Sequence, residues 1–353
     1  MHPLLDQYFK IIKRFTPSKP EESAVGLDIS AGECKLVELR RTEDGSGFEL
    51  INWAIEPVHE TNVSEVISKV LKKLKFPTER IYTSIFGKGT LIRYIDMPRM
   101  TLSDMKNSLA IEADKYFPFP QDQIYTDCYI LDEQAKGSQV PVLVAAAKKE
   151  LIDQRLKLLT DLGLKTDFIG INPIALVNVI NMLGYKGDVD ERGAVALLDM
   201  GESVSNLNIL INKVPHFTRD IFIGGRDLTK RISNALGVSF EEAEKLKRNP
   251  GADRDKVLGA CESAVMNIVR EVRLSFDYFS TERNKEVSGL LLTGGASMLN
   301  GIDSIFGNNL DVKINTWNPL DSLKIAADVP AENIKQQSLK LGVAIGLALY
   351  NYD

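Results

Sequence analysis

Leu27-Asp28-Ile29-Ser30-Ala31-Gly32-Glu33-Cys34-Lys35-Leu36-Val37-Glu38-Leu39 reads as a short buried strand closed by an acidic residue, a turn of small and polar residues, and an alternating second strand. The same reading fits Leu198-Asp199-Met200-Gly201-Glu202-Ser203-Val204-Ser205-Asn206-Leu207-Asn208-Ile209-Leu210, far along the chain. Two similar halves imply a cleft between them, and such clefts are where ligands sit. Around the first hairpin, Phe48 to Ile55 supplies a third strand. Val63, Val66, Ile67, Val70, Leu71 and Leu74 mark one face of a helix, and Ile81 to Phe86 a further strand. Around the second hairpin, Pro215 to Ile223 is the third strand, and Gly224-Gly225 opens a helix through Leu228, Ile232 and Leu236. A short charged helix, Glu241 to Lys247, and a long one, Val257 to Phe279, follow. A strand then runs from Gly289 to Thr293 into Gly294-Gly295, with a helix expected to start at Ala296. Ser338 to Tyr350 reads as an apolar helix rich in small residues.

Between the halves, residues 88–167 form a separate β-α-β-β-α pattern. Residues 1–22 are amphipathic, with Leu4, Leu5, Tyr8, Phe9, Ile11, Ile12 and Phe15 at helical spacing among basic residues. That leader fits either a membrane-surface or partner-docking helix, or a helix packed on its own domain or a loose terminus.

Composition removes several function classes. The chain has 353 residues, 43 Lys+Arg against 48 Asp+Glu and a net charge of −5, which argues against nucleic-acid binding. Three scattered cysteines (Cys34, Cys128, Cys261) and three histidines cannot supply a structural zinc site. Few cysteines fit a reducing cytoplasm. No apolar run reaches the roughly 20 residues that span a bilayer.

The two hairpins and the double-glycine turn carry the chemistry. Backbone N–H groups in a small-residue turn make a concave anion nest, and Gly32 and Gly201 allow close approach to a phosphate. Ser30, Ser203 and Ser205 add hydroxyls beside Ala31, and Lys35 could place a point charge on a terminal phosphate. Asp28 and Asp199, each at the end of a buried strand, suit a hydrated Mg²⁺ bridging to phosphates. Gly294-Gly295-Ala296 would let a flat base or ribose lie against backbone. It is neither a GxGxxG fingerprint nor a Walker loop.

These three motifs, in this order, resemble those of the actin-like ATPase superfamily: actin, sugar kinases, DnaK-type chaperones and the division protein FtsA. Gly26 to Lys35 looks like the first phosphate motif, Leu197 to Ser205 the second, and Leu291 to Ala296 the adenosine motif. Gly224-Gly225 is similar to the family's double glycine, and Glu242 to Lys247 resembles the segment edging the adenine, with Glu244 and Lys247 the contacts. Gly342 to Ala348 is like the second connecting helix. The implied fold is α/β: two duplicated RNase H-like domains with an FtsA-like inserted subdomain. The implied division is 23–87 with 168–190 and 325–353 for the first domain, and 88–167 for the insert. The second domain takes 191–228 with 285–324, and a helical subdomain takes 229–284.

Within the insert, Arg93-Tyr94-Ile95-Asp96-Met97-Pro98 and Glu112-Ala113-Asp114-Lys115-Tyr116-Phe117-Pro118-Phe119 narrow the resemblance to the type IV pilus assembly PilM family. That resemblance implies a cytoplasmic ATP- and Mg²⁺-binding scaffold, peripheral at the inner membrane. It implies docking of the N-terminal cytoplasmic tail of PilN in a groove between the first domain and the insert. PilO and PilP would associate indirectly, and pilus motor ATPases are further partners. Phe117, Phe119, Ile92, Tyr94 and Met97 are apolar material near that region, most of it expected in the core. Chaperones and FtsA place a Glu before the Pro of the first connecting helix, where this chain has Asn172. An amide can orient water but cannot act as a base, and base help is typically worth about 10²–10⁴-fold. The expectation is nucleotide binding with weak or no hydrolysis. Two alternatives share the fold. A small-molecule kinase would need a general base that has no obvious acidic candidate. An FtsA-like filament protein would carry a C-terminal amphipathic anchor, where this chain runs to Asn351-Tyr352-Asp353 directly after the connecting helix.

Overall fold

The computed structural model describes residues 23–58, 63–74, 76, 80–185 and 193–352. The amphipathic leader, with both readings of it, lies outside the described residues. The first half contains β1 (Ala24–Ile29), β2 (Glu33–Arg41), β3 (Phe48–Pro57), α1 (Val63–Leu74) and β4 (Ile81–Ile85). The insert follows as β5 (Thr90–Pro98), α2 (Leu102–Ile111), α3 (Ala113–Tyr116), β6 (Ile124–Ile130), β7 (Gln139–Lys148) and α4 (Lys149–Asp161). Then β8 (Thr166–Ile171) returns to the first sheet, and α5 (Asn172–Leu183) crosses to the second half. There β9 (Ala194–Met200), β10 (Ser205–Ile211), β11 (Val214–Ile221), α6 (Gly225–Leu236), α7 (Phe240–Arg248) and α8 (Arg254–Arg283) run in order. The chain closes with β12 (Val287–Thr293), α9 (Ile302–Asn309), β13 (Lys313–Thr316), β14 (Lys324–Ile325), α10 (Ala331–Lys335) and α11 (Gly342–Leu349).

The duplication is visible in the sheets. The first is ordered β14-β3-β2-β1-β4-β8 and the second β11-β10-β9-β12-β13. Apart from the short β14, both place the strands of their own half as third, second, first, fourth, fifth. In each, the first pair is antiparallel and the crossover to the fourth strand is parallel. Asp28 pairs with Lys35 across β1–β2, and Asp199 pairs with Asn206 across β9–β10. The overlay that sets Asp28 on Asp199 also sets Lys35 on Asn206, so the halves agree in register.

Two buried helices join the halves. Every residue of α11 is buried, and α5 presents Ala175, Leu176, Val179 and Ile180 to the same core. Val37, Leu39 and Leu50 of the first sheet and Val195, Leu197 and Leu291 of the second close that core from both sides. The contact is backbone-close. A Cβ added to Gly346 would fall 1.8 Å from the Ala175 carbonyl oxygen, and one added to Gly26 would fall 1.9 Å from that of Ala344. Asn178 Nδ2 donates to the Gly346 carbonyl at 3.0 Å across this crossing. Behind the second sheet, α8 buries Val257, Cys261, Val265, Ile268, Val272 and Phe279 at helical spacing. The insert is a three-stranded sheet, β5-β7-β6, covered by α2. It touches the second half where Tyr94 Oη and Thr218 Oγ1 share a 2.6 Å hydrogen bond.

One expected element is corrected. No α-helix starts at Ala296: residues Gly295–Met298 close a single 3₁₀ turn, and α9 begins only at Ile302. Gly301 at φ +86° breaks the path between them, so no helix N-terminus faces a ligand at the double glycine.

Candidate functional site

The ends of β1 and β9 and the turns that follow them open onto one cavity of 830 Å³. Asp28, Ser30, Ala31, Gly32 and Lys35 line one wall, and Asp199, Gly201 and Ser203 the other. Asn172, Gly225, Glu244, Lys247, Gly294, Gly295 and Ala296 complete the lining drawn from the sequence motifs. Two of the expected residues do not line it. Ser205 is fully buried, and its hydroxyl donates to the Ile223 carbonyl at 2.7 Å. Gly224 lies behind the second hairpin, where a Cβ would fall 2.5 Å from the Glu202 carbonyl oxygen.

That packing explains the double glycine. The start of α6 is laid on the second hairpin: Gly225 N–H donates to the Gly201 carbonyl at 2.9 Å and Arg226 N–H to that of Glu202 at 2.8 Å. The Gly224 N–H donates to Asp227 Oδ2 at 3.0 Å. The first two amides hold the hairpin in place, the third caps its own helix, and all three are spent before any ligand arrives. The hairpin tips also meet each other, since a Cβ on Gly32 would fall 2.0 Å from Glu202 Oε2. Ser30 uses its hydroxyl inside its own turn, donating to the Glu33 carbonyl at 2.8 Å.

Charge is concentrated at the cavity floor. Lys35 Nζ donates to Asp28 Oδ2 at 2.8 Å, both groups nearly out of solvent. Burial works against the Lys35 ammonium, yet Asp28, Glu33 and Asp199 outweigh it and hold its pKa above the ordinary lysine value. Burial pushes Asp199 up to about 6, with Lys35 pulling it down and Asp28 adding to the rise. The Asp28 Oδ1 and Asn172 Oδ1 atoms are buried and make no hydrogen bond to the described residues. Two orphaned acceptors beside a second carboxylate fit the donor set of a hydrated Mg²⁺, whose waters need oxygen partners. No group of three or more His, Cys, Asp or Glu placed to hold a metal ion occurs among the described residues, so any ion here would rest on two carboxylates, waters and its ligand.

The rim contains residues that no motif announced. Lys340 Nζ donates to Glu33 Oε1 at 2.6 Å, and Arg248 Nη2 stands 3.8 Å from the same oxygen. The Lys340 stem lies along the adenosine-type turn, its Cε 3.5 Å from where a Gly295 Cβ would be. Burial lowers the Lys340 pKa, with Glu33 opposing. Arg248 joins this pair to a second group, its Nε donating to Glu244 Oε1 at 3.2 Å, and there Lys247 Nζ donates to Glu244 Oε2 at 2.7 Å, to Thr229 Oγ1 at 2.7 Å and to the Gly225 carbonyl at 3.0 Å. Glu244 is desolvated, but Lys247 and the hydroxyl of Thr229 keep its carboxyl below the ordinary value. Sequence alone could not pair Glu33 with Lys340, more than 300 residues away, because no local pattern encodes that meeting.

A second concavity of 720 Å³ runs between the insert and the first sheet. Tyr125, Asp127 and Tyr129 of β6 and Ile152 and Leu156 of α4 form one bank; β8 and Ile174 and Asn178 of α5 form the other. Both β6 and β8 are edge strands of their sheets. The apolar residues singled out from the sequence are elsewhere. Met97 and Phe117 are in the core of the insert, Phe119 packs on that core, and Ile92 and Tyr94 do not line the groove. The groove-lining Tyr125 and Tyr129 were not legible, because on an edge strand they alternate like ordinary solvent-facing residues.

Comparison with known proteins agrees with this architecture. A solved PilM-PilN type IV pilus biogenesis complex superposes with a TM-score of 0.82 at 24% identity, covering 94% of this chain and 98% of that one. MreB 5 of Spiroplasma citri bound to AMPPNP superposes with a TM-score of 0.51 at 10% identity, covering 94% of this chain and 96% of that one. The cell division protein FtsA of Neisseria meningitidis serogroup B is 26% identical over 254 residues, covering 60% of this chain. FtsA of Enterococcus faecalis is 26% identical over 200 residues, covering 50% of it. The chain spans 59% and 44% of the lengths of those two relatives. The fold is the actin-like ATPase fold. A family model described as type IV pilus assembly protein PilM matches residues 26–352, nearly the whole described chain. On that match, the chain belongs to the type IV pilus assembly protein PilM family.

Proposed function

We propose that this protein is a nucleotide-dependent scaffold that holds Mg²⁺-ATP in the cleft and captures the cytoplasmic tail of a PilN-type membrane protein in the groove beside the insert. The observation that carries the reading is the pair Asp28 and Asp199, placed by equivalent strands on opposite walls of one cavity. A bound Mg²⁺ would be held by these two carboxylates through water and would screen the phosphate charge. Phosphates would rest at the turns of Ser30 to Gly32 and Gly201 to Ser203, with Lys35 released in part from Asp28 towards them. Gly294 packs the turn against the end of β9, and Gly295 and Ala296 line the part of the cavity where the nucleoside would rest, edged by Glu244 and Lys247. Asn172, with its unpartnered Oδ1, would position a water without removing its proton, so turnover is slow or absent. The domain division drawn from the sequence is retained within this reading.

An extended tail suits the groove because β6 and β8 offer unpaired sheet edges, while Tyr129, Leu156 and Ile174 offer apolar pockets. No helix among the described residues is long and apolar enough to cross a membrane. In this reading, attachment at the cytoplasmic face of the inner membrane comes through the tail. PilO, PilP and the motor ATPases would join through the same platform.

Isothermal titration tests both halves of the reading. Mg²⁺-ATP and a synthetic peptide of the PilN cytoplasmic tail from the same organism should each bind at one site, with phosphate release near background. Absence of binding by both ligands would overturn the assignment. Two substitutions refine it. Leu156→Asp, in the groove, should weaken the peptide at least tenfold and leave ATP affinity within twofold. Lys340→Met should weaken ATP about 5–20-fold, since charge-assisted contacts contribute roughly 1–2 kcal/mol, and should barely move the melting temperature.

A further inference from the structure

Helix α4 stands between the two concavities. Ile152 and Leu156, one turn apart, line the groove. Leu159 on the same helix is fully buried against the core beneath β1. Arg155, on the adjoining face of the same helix, reaches the end of β1. Its Nη1 donates to Thr83 Oγ1 at 3.1 Å, and its Nη2 approaches the Ile29 carbonyl at 3.4 Å. Thr83 Oγ1 in turn donates to the Leu27 carbonyl at 2.8 Å. Leu27 and Ile29 are the two neighbours of Asp28, and the next residue, Ser30, begins the first turn of the cleft.

The guanidinium thus fixes both carbonyls that flank the metal-facing carboxylate, one directly and one through Thr83. Lys35 holds the same carboxylate from the cleft side. Burial depresses the Arg155 pKa, and Asp28 and Cys34 oppose the effect, which places this cation within electrostatic reach of Asp28. A guanidinium is a rigid fork, so its two bonds are made together or strained together when its helix shifts. Hydrogen bonds weaken steeply with small displacements, and a helix moves as one body.

We propose that Arg155 is a positioning residue that links the groove to the cleft: an occupant pressing on Ile152 and Leu156 steadies α4, and Arg155 passes that order to the backbone around Asp28. This inference rests on the function proposed above. Ordering by one ligand lowers what the other must still order, so each should tighten the other. The factor must be the same in both directions.

The experiment uses the full chain with two probes, Mg²⁺-ATP and the PilN tail peptide, each titrated with and without a saturating amount of the other. The unaltered chain should show mutual tightening of about 5–50-fold, equal in both directions. Arg155→Met should bind each ligand alone yet bring the factor close to one, and Arg155→Lys should restore part of it. A purely structural role would instead weaken single-ligand binding and melting temperature while leaving the factor intact. Should Arg155→Met fail to fold, Thr83→Val, which removes only the relay hydroxyl, must reduce the factor as well. Independent binding in the unaltered chain, or an unchanged factor in Arg155→Met or Thr83→Val, overturns the inference and leaves the proposed function standing. Failure of the unaltered chain to bind both ligands overturns both.

Discussion

Asp199→Asn should strip most of the Mg²⁺ dependence from ATP binding, by about 100-fold at pH 7.5, while making the ligand-free protein more stable. The two effects have one cause. Asp199 sits near Asp28 in a desolvated floor, and its pKa is raised from 3.8 to about 6. A carboxyl raised in the folded state favours folding while protonated: its contribution is fully present below pH 3.8 and is lost as pH rises through about 6. At pH 7.5 the ionised group therefore costs the ligand-free fold up to about 3 kcal/mol, since each tenfold change in proton affinity is worth roughly 1.4 kcal/mol. The neutral amide removes that cost and with it the second negative ligand that a cation needs. Thermal melting of the ligand-free chain should rise by several degrees on substitution at pH 7.5 and change little at pH 4.5. Titration of ATP with and without Mg²⁺ provides the other reading. Should ligand-free stability fall, or Mg²⁺ dependence persist, the Asp28–Asp199 pair is not the cation site. Such strain at a site, relieved by its ligand, is a common stability–function trade.

Gly346→Ala should cost the fold at least about 3 kcal/mol, the upper range for overpacking, because the obstruction is backbone and not a movable side chain. The added methyl would sit 1.8 Å from the Ala175 carbonyl oxygen and 2.5 Å from its carbon. Relief requires α11 to move off α5, which parts the halves of the protein and spoils the hydrogen bond from Asn178 to the Gly346 carbonyl. The melting temperature should drop by roughly 6–12 °C, and ATP affinity should fall with it, since the cleft walls hang from this crossing. Gly307→Ala is the control. Gly307 is an exposed residue in α9, and its nearest neighbour to an added Cβ, Ile314 Cγ1, is 3.8 Å away. There the change should be neutral or stabilising by up to about 1 kcal/mol, through the lower entropy of the unfolded chain. Equal effects at the two glycines would refute the packing argument.

The duplicated hairpins were legible because strand periodicity and turn chemistry are local, and a duplication repeats both in phase. The overlay of Asp28 on Asp199 needed no structure, and the structure returns it as matched register in two sheets. The helices α1, α6, α7 and α8 were legible from spacing for the same reason. The strand β8 and the short β13 and β14 were not, since Thr166-Asp167-Phe168-Ile169-Gly170-Ile171 lacks alternation and the others are four and two residues long. The supposed helix at Ala296 failed because an apolar strand followed by two glycines fits either a helix start or a single tight turn. Only the later Gly301, held at positive φ, decides between them.

The site divides along the same line. Residue types at the turns fixed which groups could meet an anion or a cation: short-range sterics and hydrogen-bonding capacity belong to each residue wherever it lies. Whether those groups are free was decided in three dimensions. Ser205 spends its hydroxyl on Ile223, Gly224 is walled in by Glu202, and Ser30 is turned into its own loop. The contacts of Glu33 with Lys340 and Arg248, and of Arg155 with Thr83 and Ile29, join segments that share no local pattern. Tertiary structure alone sets burial, and burial sets the cost of each charge, so the raised pKa of Asp199 and the grip on Asp28 could be read only once the chain was folded.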